Sequence, residues 1–453
     1  MPLAARLKLL LALALPMVLA RATQAVITFA DALQVKHLGS GALAATATGG
    51  LNVVGFVILP MGTVFIVQSF VAQLVGRGAR DEAPRYAWYG LAIAAIAAVI
   101  SVAMIPLIEP ALGLTGYSPG VQAEMSHYME IRILSVGAVV AVEALGNWYG
   151  GLGNTWMAMV AGVISMVSAV FFNWVLIDGH LGAPAMGVAG AAWGSVIASY
   201  AGLAFLAIAF WRRWGNAPRP AGKLGLSIAE LRRVIRFGLP NGMNWFLEFA
   251  AFQLFVNGVL ASLGDETVAA LNVVIAVNSI SFMPAFGLAS AGAILAGQAI
   301  GRGDRDAVWP QLKITLACTC AWTTVCGTLY LIAPHWVLSQ FEEPGKSGNL
   351  VAIGTGMLAL SAAWQVFDAT AMTLAETLRA AGDTFWTATA RLILAWAVFM
   401  PAAFIVVRWY GGGPLGAMLC LAGYMALLAT AFSIRFRSGA WKKIELIEPK
   451  LVD

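Results

Sequence analysis

Gln73-Leu74-Val75-Gly76-Arg77-Gly78-Ala79-Arg80-Asp81 returns, 225 residues further on, as Gln298-Ala299-Ile300-Gly301-Arg302-Gly303-Asp304-Arg305-Asp306. The same offset carries Leu38-Gly39 onto Leu263-Gly264 and Ala44-Ala45 onto Ala269-Ala270. Small slips bring in Leu15-Pro16 with Leu239-Pro240, Gly153-Asn154-Thr155 with Gly382-Asp383-Thr384, and Gly187/Gly190-Ala191 with Gly413/Gly416-Ala417. A period of this length does not belong to a solenoid, whose repeats run to about 20–50 residues; it is one half-molecule used twice. In a membrane protein such duplication points to a transporter whose site lies between the halves.

The membrane assignment rests on composition. Hydrophobic residues make up 60% of the chain, charged residues 11%, and the mean hydropathy is +0.81. A soluble domain carries about 25% charged residues. Runs able to cross ~30 Å of hydrocarbon, each needing roughly 20 residues, fall near 8–35, 44–70, 86–108, 125–147, 156–177, 186–211, 236–261, 268–298, 309–333, 349–378, 386–407 and 413–434. The expectation is an all-α membrane protein: twelve transmembrane helices in two pseudo-symmetric six-helix lobes, built from parallel repeats. The lobes are placed at 1–211 and 231–438, joined by a linker at 212–230 that holds Pro218, Pro220, Gly222 and Gly225, and followed by a tail at 439–453.

The net charge of +5 is explained by its distribution. With the N-terminus in the cytoplasm, twenty-two of the 27 Lys and Arg fall on the inner side, including Arg77, Arg80 and Arg85, the cluster Arg212 to Arg236, Arg302, Arg305, Arg379, Arg391, and the tail from Arg435 to Lys450. Only Lys36, Lys346 and Arg408 fall outside, while Arg21 and Arg132 lie within helices. This positive-inside bias leaves no place for a nucleic-acid partner, and both termini of the multi-pass protein are expected in the cytoplasm.

Arg6, Lys8, the apolar run Leu9 to Leu19 and Ala20-Arg21-Ala22 imitate a cleavable signal peptide. The apolar stretch continues past that point to about Val35, and Leu15-Pro16 has its partner in the second copy, so a retained first helix is expected. Cys318, Cys320, Cys326 and Cys420 lie within apolar helices with no second ligand pair nearby and read as small core residues rather than a metal site.

A charge at the centre of a bilayer costs at least ~2.5 kcal/mol and calls for a role. Asp31, Glu143, Glu248 and Asp368 qualify, with Glu376 nearer an inner end. Glu248 lies eleven residues in from Phe237, and Asp368 eleven from Arg379, so both reach ~16 Å at 1.5 Å per residue. Two carboxylates at one depth in one half form a candidate coupling-ion site, able to accept a proton or ligate Na+. Asn244, one turn before Glu248, and Gln365, three before Asp368, bring neutral oxygens within reach. No Lys or Arg is expected at that depth in the second half to pair with the two acids. Arg21 has Glu143 as a conceivable partner, Asp178 and His180 read as solvated loop residues, and Glu376 reads as pairing with Arg379 at the inner surface.

These residues resemble the multidrug and toxic compound extrusion (MATE) family, and within it the NorM-type members. The resemblance covers nearly the whole chain. It runs through Asp31, Leu38-Gly39 and Ala44-Ala45, Tyr128-Met129-Glu130-Ile131-Arg132, Gly151-Leu152-Gly153-Asn154-Thr155, Gly179-His180-Leu181-Gly182 and Gly187-Val188-Ala189-Gly190-Ala191. It continues through Gly238-Leu239-Pro240-Asn241-Gly242-Met243-Asn244-Trp245-Phe246-Leu247-Glu248 and Leu378-Arg379-Ala380-Ala381-Gly382-Asp383-Thr384. It implies a two-lobed antiporter that alternates between outward-open and inward-open forms and exports organic cations against Na+ or H+. Glu248 and Asp368 match the acidic cation-binding positions of the C-terminal lobe, and Asp31 the first-helix acid implicated in coupling. Where many relatives have two polar positions in the fifth helix, this chain has Ala169 and Asn173, and the small positions after the first-helix acid are Ala32 and Lys36. The coupling site is therefore expected at Glu248 and Asp368. Asp31 is retained as a conformational switch or an ion ligand; the plain alternative is an acid near the outer interface, hydrogen-bonded to Gln34 or Lys36.

An amphipathic cation gains from burial, carboxylates and aromatic faces. Trp245, Phe246, Phe249, Phe282 and Trp364, with the adaptable Met243 and Met283, are the candidate chamber lining. No cofactor is implied beyond the coupling cation, no metal beyond a Na+ at Glu248 and Asp368, and one chain holding both repeats is read as a working monomer. A flippase for lipid-linked substrates would want a basic cavity, whereas the charges at this depth are acidic. A membrane-embedded enzyme would want a nucleophile and base or a metal cluster, which the sequence lacks. Asp31 falls opposite Val256 and Glu248 opposite Thr23, whereas Asp368 falls opposite Val139 or Glu143 according to where the slip occurs.

Overall fold

The structure, a computed structural model, describes residues 3–114, 117–220, 224–339 and 350–447. Lys223, Lys346 and Lys450, counted in the charge distribution, lie outside the described residues, as does the end of the expected tail. In chain order the first helices are α1 (Leu3–Val35), α2 (Ser40–Val64), α3 (Val67–Arg77), α4 (Ala83–Ala103), α5 (Ile108–Leu112) and α6 (Pro119–Ile133). They are followed by α7 (Val136–Gly151), α8 (Trp156–Asp178), α9 (Val188–Arg212), α10 (Ile228–Leu254), α11 (Asp265–Gly301) and α12 (Val308–Ile332). The last are α13 (Pro334–Ser339), α14 (Leu350–Ala380), α15 (Thr384–Ile393), α16 (Met400–Arg408) and α17 (Gly413–Arg437). No strand occurs among the described residues. Hydrocarbon offers backbone groups no partner, so a chain of this composition must satisfy them within each segment.

Eleven helical stretches among the described residues are long and apolar enough to cross a bilayer. The span expected at 125–147 is the exception, being split into α6 and α7. Here Leu134 and Ser135 donate to the carbonyls of Ile131 and Arg132, three residues back, at 3.1 Å each. The Ser135 hydroxyl also takes the Arg132 carbonyl at 2.7 Å, so a side chain competes locally with the helical ladder. The basic residue Arg132 stands in the last turn of α6, next to its final residue Ile133. α1 by contrast runs unbroken through Ala20-Arg21-Ala22.

The chain forms two compact units, one of Leu19–Gly242, the other of the start of the chain to Val18 together with everything from Met243. These cuts differ from the boundaries expected at 211 and 231. The reason at the first cut is a close approach: Gly287 on α11 leaves room for Val18, whose backbone nitrogen would stand 3.1 Å from a Cβ there. In the unit of Leu19–Gly242, small residues bring helices together as they do in membranes generally. Gly190 and Gly194 on α9 face α8, where a Cβ on Gly190 would press on the Leu176 carbonyl and lie 2.8 Å from the Ile177 nitrogen. A Cβ on Gly194 would overlap the Asn173 side chain. The same unit seats the beginning of α10 on α2, with Asn241 Nδ2 donating to the Gly62 carbonyl at 2.7 Å. In the other unit the buried core runs from Phe255 through Leu358 and Phe399 to Phe432.

The helix ends locate the slip in the repeat. α7 stops at Gly151 and α14 at Ala380, and each is followed by a left-handed glycine, Gly153 (φ +84°) and Gly382 (φ +89°), the usual way a helix is closed. The offset here is 382 − 153, or 229. Both helices are continuous back to the acid in question, so Asp368 stands opposite Val139 and not Glu143.

Gly190→Val should lower the thermal midpoint of the detergent-solubilised protein, by overpacking worth about 1–3 kcal/mol, because the atoms it meets are backbone. Gly55→Ala, where nothing lies within 4 Å, is expected to leave the midpoint unchanged in the same fluorescence-monitored melt.

Candidate functional site

In the unit of Leu19–Gly242, Asp31 on α1 accepts a hydrogen bond from Asn173 Nδ2 on α8 at 2.6 Å. Its partner is thus neither Gln34 nor Lys36. Gln34 instead donates to the Val170 carbonyl at 3.0 Å, and Lys36 lies exposed in the short turn after α1. The remaining Asn173 oxygen is buried without a partner. Arg132 lies within electrostatic reach of Asp31 and hydrogen-bonds Tyr128, held there by its contact with Ser135 at the α6–α7 break. The polar group around Asp31 is therefore fuller than the sequence suggests, because Arg132 comes from a helix distant in the chain.

The same unit joins Arg21 to Glu143 at 2.8 Å, with Asn147 Nδ2 donating to the same carboxylate oxygen at 3.0 Å. Asp178 pairs with His37 at 2.8 Å, and His180 stacks on Trp174 with ring centres 4.2 Å apart. Asp178, exposed at the end of α8, and His180, just beyond it, each have a neighbouring side chain as partner while remaining open to solvent.

In the unit containing residues from Met243 onward, Glu248 on α10 meets Arg391 on α15, with Nη1 2.6 Å from each carboxylate oxygen. This overturns the expectation that no basic residue accompanies the acids there, and removes Arg391 from the inner-surface charges. α15 begins at Thr384, so Arg391 stands seven residues, or ~10 Å, into its helix. The start of that helix, marked by Gly382-Asp383, is the signal in the sequence that reveals it. The Arg391 guanidinium also lies over the Phe432 ring, 5.7 Å from its centre. Asp368 on α14 is within electrostatic reach of both Glu248 and Arg391, and the Tyr424 hydroxyl on α17 is within reach of all three. Asn244, Glu248, Arg391 and Trp396 line a small pocket. Two buried polar atoms of its lining residues, Asn244 Oδ1 and Arg391 Nε, have no hydrogen-bond partner, and neither has the Tyr424 hydroxyl, which lies outside that lining. Both helices that carry the ion pair run on into π-helical turns, Phe255–Val259 and Leu394–Phe399, a distortion often found at functional sites.

Gln365 is engaged elsewhere: its carbonyl accepts from the Ser281 hydroxyl at 2.7 Å and its amide donates to Asn278 at 2.9 Å. Glu376 does pair with Arg379, but inside the protein and not at a surface, the two residues being 6% and 2% exposed. Of the aromatic candidates, Trp364 is buried in the hydrophobic core, so it lines no chamber. Phe282 is exposed and stacks on Phe286, which also meets Trp245 edge-on, with ring centres 6.0 and 6.3 Å apart. Met243 is likewise exposed, while Phe246, Phe249 and Met283 are half-buried. Phe286 is the member of this aromatic row absent from the sequence-derived candidates, although it stands one turn from Phe282.

The first copy of the repeat carries different residues at the positions of the ion pair. Glu248 stands opposite Thr23, and Arg391, with 391 − 229, opposite Gly162. These two residues approach each other in their own unit, where a Cβ on Gly162 would lie 2.7 Å from the Thr23 hydroxyl. The same helix contact is made twice, once by a threonine on a glycine and once by a carboxylate on a guanidinium. Among the described residues no group of three His, Cys, Asp or Glu could hold a metal ion, and the four cysteines are unbridged.

The MatE family model matches residues 16–175 and 242–405. A protein of Pseudomonas putida described as a probable multidrug resistance protein NorM is 26% identical over 448 residues, covering 97% of this chain and 96% of that protein. The multidrug resistance protein PmpM of Pseudomonas aeruginosa is 26% identical over 406 residues, covering 88% of this chain and 84% of its own. Among solved structures, one described as the outward-facing conformation of a multidrug resistance MATE family transporter of the MOP superfamily superposes with a TM-score of 0.88 at 20% identity, over 97% of each chain.

A double-mutant cycle on Arg21→Gln and Glu143→Gln, read by thermal unfolding in detergent, should give a coupling of about 1–3 kcal/mol. Either single change breaks the ion pair, and the double change removes both charges. Additive effects would contradict the pairing.

Proposed function

Because this chain belongs to the MATE family of membrane transporters, we propose that it exports amphipathic organic cations by antiport with Na+ or H+. It is a transporter and not an enzyme. The observation that carries the reading is the end-to-end match with relatives named for multidrug resistance. In this reading the two repeats act as lobes, 1–211 and 231–438, of an alternating-access cycle across a bacterial inner membrane. Both termini stay in the cytoplasm and a single chain does the work. Cation entry at the cluster of Glu248 and Asp368 favours one arrangement and lowers the affinity for the exported compound in it. Coupling requires that the ion prefer one arrangement, because equal affinity for both shifts nothing.

Asp31, with Asn173 as its hydrogen-bond donor, is assigned to switching. Removing its charge would free Asn173 and leave Arg132 without the nearest carboxylate. The exposed Phe282 and Met243, with the half-buried Phe286, Trp245, Phe246, Phe249 and Met283, would offer the flat, adaptable surface that amphipathic cations favour. A lipid-linked flippase finds less support, since Arg21, Arg132 and Arg391 each stand beside a carboxylate and do not form a basic cavity.

Reconstituted in liposomes, the protein should expel ethidium when a Na+ or pH gradient is imposed. Asp368→Asn and Glu248→Gln should each slow that efflux at least about tenfold, the loss expected for a charge that acts in the coupled step. Unimpaired gradient-driven efflux in both variants would remove the coupling site from this position.

A further inference from the structure

The acids within the spans are unevenly compensated. Glu143 has Arg21, Glu376 has Arg379, and Glu248 has both of its oxygens on Arg391. Asp31 has the Asn173 amide and the nearby Arg132. Asp368 has no ion pair or hydrogen bond among the described residues. A cation placed at Glu248 would have to displace a guanidinium that bridges both oxygens at 2.6 Å. A cation placed at Asp368 displaces nothing.

We infer that Arg391 is a tethered counter-ion for Glu248, that Asp368 alone supplies charge to the coupling cation, and that this cluster therefore takes one monovalent cation at a time. The inference rests on the antiport reading and assigns unlike roles to two carboxylates that look alike in sequence. Its arithmetic is that of formal charge: two carboxylates and one guanidinium leave the cluster at minus one. One Na+, one proton, or the charged end of a monovalent organic cation neutralises it. A second cation would enter a cluster already neutral, beside the guanidinium, in surroundings that screen charge poorly.

The neutral atoms fit this division. Tyr424 is 5% exposed, and its hydroxyl has no partner while lying within reach of Asp368, Glu248 and Arg391. Asn244 Oδ1, also without a partner, lines the same pocket as the ion pair. The Tyr424 oxygen can supplement the Asp368 carboxylate around a cation. Arg391 is held on its other side by the Phe432 ring and has no second carboxylate within hydrogen-bonding distance among the described residues. Arg391 is thus a positioning residue, acting on the cation through the charge it cancels.

The test is a charge-conserving rescue, read as ethidium efflux from proteoliposomes under an imposed gradient. Glu248→Gln leaves Arg391 to turn onto Asp368, makes the cluster neutral and slows efflux. The double variant Glu248→Gln/Arg391→Gln restores the charge of minus one and should return efflux to within about threefold of the wild type. Asp368→Asn should remain inactive in both backgrounds, and Arg391→Lys should keep most of the activity. A double variant as inactive as Glu248→Gln, though equally monodisperse and thermally stable, would show that Glu248 itself holds the cation and would overturn the assignment. Should the double variant fail to fold, the wild type decides. The logarithm of ethidium affinity against the logarithm of coupling-cation activity should fall with a slope of about minus one, and a slope near minus two overturns the proposal. A wild type that shows no gradient-driven efflux at all removes the antiport reading and this inference together, whereas efflux in the wild type without rescue removes only the role given to Arg391.

Discussion

Hydrocarbon solvates neither backbone amides nor charges, and the whole structure follows from that constraint. It forces the apolar runs into helices, and it denies those helices the hydrophobic drive that packs a soluble core. Close contact must come from shape, which is why Gly190 and Gly194 lie against α8 and why Gly62 and Gly242 let α10 settle on α2. It also sets the terms for each ionised side chain. Arg21 with Glu143, Arg379 with Glu376, and Arg391 with Glu248 are the solutions found here, and each joins groups whose isolation would cost more than their pairing returns.

The duplicated scaffold and the unduplicated charge are two sides of the same constraint. Backbone packing between helices can be copied, since it depends on small residues and helix geometry that both halves share. A charge cannot be copied without its partner. At the contact occupied in one half by Thr23 and Gly162, the other half carries Glu248 and Arg391, so both members of the pair differ between the halves. Asp368 stands opposite Val139, so its charge too belongs to one half alone. The two units therefore share architecture while differing in what they can bind.

Much of the fold is legible in the amino-acid order. The spans, the repeat and the acids buried among apolar residues follow from hydropathy and spacing, and the pairing of Arg21 with Glu143 is foreseeable once both are placed within helices. Three features are not. Arg391 reads as an inner-surface charge because its depth depends on where α15 begins, and an apolar run does not mark its own first turn. The split between α6 and α7 leaves no mark in hydropathy, since Leu134 and Ser135 continue an apolar run while their amides turn to carbonyls three residues back. Trp364 looks like lining because it lies near Asp368 in sequence, but a helix shows several faces within a few residues and this one turns toward the core.

The sequence by itself determined that the chain crosses the membrane many times, that one half-molecule was used twice, and which side chains carry charge where charge is costly. Those properties are local or periodic, and they survive without knowledge of contacts. Only the tertiary structure decided which charge answers which. Glu248 and Arg391 are brought together by helices α10 and α15, Asp31 and Asn173 by α1 and α8, and Asp368 is left without a basic partner of its own. Electrostatic compensation falls off with distance in space, and distance along the chain carries little information about it.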